Sequence, residues 1–214
     1  CSRIWFYQAT EPGLVLHTAS SPLLADQAVV VGFANGNLSK LNISSGRPLW
    51  EQTIAVPEGA FAIERMVDID ADPVFHDGRL YTATYQGNIS SVDWASGKIN
   101  WTHGISTYTG MVATSNAIYV SDGTGHVWGF NADNGLVNWR QNALEARVIS
   151  APALQDGYIV VGDGEGYLHW LSHEDGHFVA RESMGGQIFS TPLTENGVLY
   201  VLNTKGKLAA YTLS

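Results

Sequence analysis

The sequence predicts an all-β fold, a β-propeller of four-stranded antiparallel blades, and three observations carry that prediction. A unit of about 40 to 50 residues, the period of propeller blades, recurs along the chain. Within each unit, β-branched and aromatic residues alternate with polar ones between glycine-containing turns, the pattern of half-buried strands. No segment sustains a helical period.

The first unit reads AVVVGFANGNLSKLNISSGRPLW from Ala28 to Trp50: a strand, a tight turn with glycine, a second strand, another Gly turn, and a tryptophan four residues later. The second is RLYTATYQGNISSVDWASGKINW, Arg79 to Trp101, and the third AIYVSDGTGHVWGFNADNGLVNW, Ala117 to Trp139. The fourth, Tyr158 to Ala180, closes on alanine, and a shortened fifth runs from Leu199 to Ser214. The first-turn glycines Gly36, Gly87, Gly125, Gly166 and Gly206 lie 51, 38, 41 and 40 residues apart. Trp50, Trp101 and Trp139 keep the same register, and Trp5 already stands in a closing position.

A further short strand precedes each unit, within the segments starting at Ser20, Val67, Gly110, Val148 and Ile188, which completes four strands per blade. Three of these end on Asp77-Gly78, Asp156-Gly157 and Asn196-Gly197, pairs that tolerate the positive φ of a tight hairpin. One blade cannot bury both faces, so neighbours must stack, and the regular Trp, Gly and aliphatic positions are structural. No linker, charge run or composition break divides the chain. Residues 1–214 are therefore expected to form one partial propeller, with units closing near Trp5, Trp50, Trp101, Trp139 and Ala180 and a final short unit over 181–214.

A formal charge of -9, from 11 basic and 20 acidic residues, works against sequence-independent attraction to nucleic acid or anionic lipid. Cys1 is the only cysteine, which excludes an internal disulfide or a cysteine-rich zinc site within these residues. No apolar stretch approaches the length of a membrane-spanning helix.

The segment Ser91-Val-Asp-Trp-Ala-Ser-Gly-Lys-Ile-Asn-Trp101 resembles the tryptophan-docking repeat of quinoprotein-like (PQQ-like) propellers. Within that group, Glu64 to Pro73, Val161 to Trp170 and Glu174 to Ala180 resemble the BamB family of outer-membrane assembly lipoproteins. The resemblance runs from about Trp5 to the C-terminus and implies about five blades of an eight-bladed ring. It implies a non-enzymatic periplasmic scaffold without a cofactor. Its implied partners are the POTRA domains of BamA and other components of the assembly machinery, with unfolded outer-membrane proteins as candidate clients. It also implies attachment to the inner leaflet of the outer membrane through an N-terminal lipid absent from this chain, since a repeat follows Cys1 with no tether between them.

In that family the BamA-binding face pairs a Leu-x-Leu-Arg segment on one inter-blade loop with an Asp-x-Asp segment on the next. Leu14, Leu16 and His17 stand where the first belongs, and Asp68 and Asp70 match the second. His17 replaces the arginine and lacks its fixed guanidinium fork; Arg65 lies near enough in sequence to compensate. The residues themselves are compatible with the role. Leucines two apart in an extended segment share one face, as do the two aspartates, which gives an apolar anchor with an acidic rim. Leucines folded back into a blade and aspartates capping turns are the structural alternative.

Other chemistry finds little support. Asp68, Asp70 and Asp72 resemble the start of a calcium loop, but its sixth and twelfth positions hold Pro73 and Arg79 instead of Gly and Glu. His169, His173 and His177 would align for zinc only on a helix, and are expected to be solvated turn residues. Gly162 to Gly166 joins two strands and is read as a turn, not a phosphate cradle. The quinone-dependent dehydrogenases share the repeat and are the rival class, although a lone cysteine excludes the vicinal disulfide several of them carry. An interaction propeller with another partner is the remaining alternative.

Overall fold

The computed structural model describes residues 1–10, 20–56, 69, 72–84, 88–105 and 109–213. Five antiparallel sheets follow one another along the chain. The first holds β1 (Leu23–Ala25), β2 (Ala28–Gly32), β3 (Asn37–Asn42) and β4 (Pro48–Thr53). The second holds β5 (Val74–His76), β6 (Arg79–Ala83), β7 (Asn88–Asp93) and β8 (Ile99–Gly104). The third holds β9 (Met111–Ala113), β10 (Ala117–Ser121), β11 (Val127–Asn131) and β12 (Val137–Gln141). The fourth holds β13 (Ala153–Gln155), β14 (Tyr158–Gly162), β15 (Tyr167–Ser172) and β16 (Phe178–Ser183). The last has three strands, β17 (Leu193–Glu195), β18 (Val198–Leu202) and β19 (Leu208–Tyr211). The order within each sheet follows the sequence, and no helix occurs among the described residues.

Turn chemistry fixes the hairpins. Asp77-Gly78, Asp156-Gly157 and Asn196-Gly197 all take positive φ at both residues, the type I′ geometry that matches strand twist. The first blade uses Asp26 and Gln27 in the same conformation, a pair without glycine that carries no such sequence signal. Between the third and fourth strands of each four-stranded blade the register slips by one residue, at Lys40/Leu41, Ser91/Val92, Gly129/Phe130 and Trp170/Leu171. This recurrent bulge places the residue after it, Trp50, Trp101, Trp139 or Ala180, in the closing position.

The closing tryptophan works by contact with a glycine of the following blade. A Cβ on Gly97 would lie 2.7 Å from the Trp50 ring, and one on Gly176 only 2.4 Å from Trp139, so the indole lies directly on the bare backbone. The indole N–H of Trp50 donates to the Trp94 carbonyl at 3.1 Å, and that of Trp139 to the His173 carbonyl at 3.0 Å. Trp5 rests on Gly46 and donates to the Ile43 carbonyl at 2.8 Å in the same way.

Contacts divide the chain into two compact units, Cys1–Ser106 and Thr107–Ser214. In the first, Val30, Leu38, Leu80 and Val92 pack between the first two sheets with Trp94 and Ile69. In the second, one cluster joins the third and fourth sheets through Tyr119, Val127, Ile159 and Leu171, and another joins the fourth and fifth through Val160, Leu168, Leu199 and Val201. At about 25 cal/mol per Å² of buried apolar surface, this packing between sheets is the main stabilising term.

The fourth blade departs from the pattern at Ala180. Its indole comes instead from Trp170, the cross-strand partner of Ala180, which donates to Gln155 Oε1 at 2.8 Å. Gln155 is fully buried and donates in turn to the carbonyls of Gly197 and Tyr211 at 3.0 and 2.9 Å, stapling the last blade to the fourth.

Candidate functional site

Each blade's last strand leads through a loop to the first strand of the next, and two of these loops share one frame. Ile69 and Ile188 are both buried, and each covers the glycine ending the second strand of the preceding blade. A Cβ on Gly32 would lie 2.4 Å from Ile69, and one on Gly162 2.3 Å from Ile188. The Ile69 N–H donates to the Phe33 carbonyl at 3.4 Å, and the Ile188 N–H to the Asp163 carbonyl at 3.0 Å. Glycine is therefore required for close approach, and the isoleucine pins the loop. In the later loop the residues beside the pin, Gln187 and Phe189, are exposed.

The sequence-predicted residues Leu14, Leu16, His17, Arg65, Asp68 and Asp70 lie outside the described residues. Near them, Ile69, Asp72 and residues 20–56 are described. Ile69, between the two aspartates, is the pin just identified. Asp72 accepts a hydrogen bond from the Ser21 N–H at 2.6 Å, and β1 touches β5. Ser21 and Asp72, described residues that follow the two predicted motifs in sequence, are thus joined directly. Asp72 itself serves as a structural cap.

Sequence reasoning missed two buried carboxylates at the turns between the second and third strands. Asp122 Oδ1 accepts the N–H groups of Thr124 and His126 at 2.9 and 3.0 Å, while Oδ2 accepts the Trp128 indole N–H at 2.8 Å. Asp163 repeats the scheme with Glu165 and Tyr167 N–H groups at 3.0 and 2.8 Å on Oδ1. Its Oδ2 takes Arg147 Nη1 at 2.6 Å and His169 Nε2 at 2.8 Å. Arg147 also meets the exposed Glu165 at 3.0 Å.

Burial pushes both carboxyls up, but the donors converging on them outweigh it and hold each below its ordinary value. Burial holds the His169 imidazole below its usual value, partly opposed by Asp163. His169 is thus a buried residue of β15, not the solvated turn residue expected, because strands stacked on both faces have no solvent side. His173 and His177 are exposed as expected, and His177 pairs with Asp175 at 2.6 Å.

Asp122 and His126 do not form a triad-type proton relay. Thr124 and Asp122 both approach the same ring nitrogen of His126, at 2.8 and 3.0 Å, whereas a triad needs the hydroxyl and the carboxylate on opposite nitrogens. Among the described residues no group of three or more His, Cys, Asp or Glu side chains is placed to hold a metal ion. The signal that would have found Asp122 and Asp163 is the Asp-Gly-x-Gly turn with a donor side chain six residues on, Trp128 and His169.

Antiparallel four-stranded sheets in sequence order, with Trp50 and Trp139 each closing its blade on a glycine of the next, define a tryptophan-docked β-propeller. The profile of the family described as outer membrane protein assembly factor BamB matches residues 2–141 and 125–214, and the chain belongs to that family. A protein of that name from Legionella pneumophila is 38% identical over 203 residues, covering 95% of this chain and 53% of the relative. Its Escherichia coli namesake is 35% identical over 202 residues, covering 94% and 52%. The chain thus spans about half the length of these curated relatives. The crystal structure of BamB from Moraxella catarrhalis superposes with a TM-score of 0.89 at 26% identity, covering 98% of this chain and 63% of that one.

Proposed function

We propose that this chain is part of a non-enzymatic scaffold of outer-membrane protein assembly, and that it docks on the periplasmic POTRA domains of BamA. Leu14 and Leu16 supply the apolar anchor; Asp68 and Asp70, with Arg65 and His17 beside them, supply the polar rim. Family membership supports the assembly role, since the relatives carry the name of assembly factors. The location that goes with this role is the periplasm, at the inner leaflet of the outer membrane.

The observation that carries the choice of face is the hydrogen bond between Ser21 and Asp72, together with the buried pin Ile69. It draws together the ends of two loops whose motifs would have to act jointly. The equivalent pin Ile188 leaves the residues beside it exposed, the property Asp68 and Asp70 need as partner residues. A rigid frame with exposed loop positions lowers the ordering cost of binding.

Calorimetric titration of the chain with purified BamA POTRA domains tests the reading, with Leu16→Ala and Asp70→Ala alongside and circular dichroism confirming the fold. Saturable binding weakened about tenfold or more by either substitution is expected, as for a residue of an interface hot spot. Absence of binding by the folded chain, or binding that neither substitution changes, overturns it.

A further inference from the structure

The unit Thr107–Ser214 carries a cleft of about 410 Å³ that the reading above does not use. It opens between the loop after β12 and the outer strand β16, and is lined by Leu144, Arg147, His169 and the four consecutive residues Phe178 to Arg181. Side chains of a strand alternate between faces, so a cleft touching four in a row meets the strand at its edge. That edge is open, since β16 pairs with β15 and with no other strand among the described residues.

The lining holds Arg147 and Arg181 and no carboxylate, in a chain that carries -9. Arg147 is neutralised by Asp163 and Glu165, so Arg181 is the cation the cleft offers. The nearby Asp163 is fully buried and already saturated by Arg147, His169 and two backbone N–H groups. Arg181, opposite His169 in the register, lies 4.5 Å over the Tyr167 ring, which holds its guanidinium at the surface. No carboxylate lies within ion-pair distance of Arg181 among the described residues. Leu144 and Phe178 supply apolar surface beside it.

We propose that this cleft binds an extended acidic peptide segment of a partner protein, whose backbone adds to the open edge of β16 while a carboxylate pairs with Arg181 and an apolar side chain meets Leu144 and Phe178. Strand addition supplies affinity through main-chain hydrogen bonds, and alternate side chains supply selection. Guanidinium and carboxylate match as bidentate partners, so the charge sign of the peptide is decisive.

The test is fluorescence anisotropy with a labelled octapeptide in which serine alternates with glutamate and valine in turn, so that both side-chain types share one face of an added strand, beside the same peptide with lysine in place of glutamate. The acidic peptide is expected to saturate and to weaken with added salt, and the lysine peptide is expected not to bind. Arg181→Glu is expected to weaken binding by about tenfold or more, while Lys205→Glu, the same charge change outside the cleft, leaves it unchanged. Thermal melts establish that both variants fold. Equal binding of the lysine peptide, no binding of the acidic one, or binding insensitive to Arg181→Glu overturns the proposal. Because the probe contains no POTRA domain, the result is independent of the BamA reading.

Discussion

Replacing Gly176 with alanine tests the docking contact that joins the third and fourth blades. Gly176 has φ +74°, where an L side chain costs about 1–2 kcal/mol. Its new Cβ would lie 2.4 Å from Trp139, whose ring has little room to yield. Trp139 is buried, stacks on Tyr119 with ring centroids 5.8 Å apart, and donates to the His173 carbonyl. Overpacking of that kind adds about 1–3 kcal/mol. Trp139→Ala alone is expected to cost about 3–5 kcal/mol, and it removes the atoms the new Cβ would meet. In that background Gly176→Ala should cost only its backbone strain. The two substitutions should therefore couple by about 1–3 kcal/mol, above the roughly 0.5 kcal/mol scatter of independent sites. Urea unfolding of the four proteins, followed by far-ultraviolet circular dichroism, measures the cycle. An alanine at 176 that costs the same with and without Trp139 would refute the docking account.

Gln155→Ala strips partners from the Trp170 indole N–H and from the carbonyls of Gly197 and Tyr211, so the last blade should loosen by about 2–4 kcal/mol. Faster amide exchange in β17–β19 with β9–β12 unchanged is the expected readout, and uniform acceleration would contradict a local staple. Burial holds His169 below its ordinary value of 6.5, so its contribution to stability is present above that pH and is lost as pH falls through the lower folded value. Asp163 shifts in the same direction but acts only from below its ordinary value of 3.8. His169→Gln should therefore flatten the loss of melting temperature between pH 7 and pH 5, and an equal loss in both proteins would sink the assignment.

The blade order, the hairpins at Asp77, Asp156 and Asn196, and the docking role of Trp50 and Trp139 were legible because each rests on a residue type its local geometry requires. Where a geometry is reached by an unusual residue, the signal vanishes, as at Gln27, which takes a left-handed conformation without being glycine or asparagine. Ala180 reads as a lost docking position because the indole that replaces it stands across the ladder at Trp170, a relation of register and not of sequence distance. The burial of His169 departs from the sequence expectation for a related reason. Alternation marks one wet face only in a sheet packed on one side, and β15 is packed on both.

The same distinction bears on where partner recognition is written. The isoleucine pins at 69 and 188 and the glycines beneath them repeat because the fold needs them, so they carry no information about a partner. The residue after the pin in sequence is Asp70 in one loop and Phe189 in the other, a change from carboxylate to aromatic. Packing does not force that change, since Phe189 is 46% exposed. The two loops share a buried isoleucine pin and differ in the residue that follows it. Exchanging the residues at 70 and 189 should therefore move binding preference with little effect on folding, whereas exchanging either pin for alanine should damage the frame through the cavity it leaves.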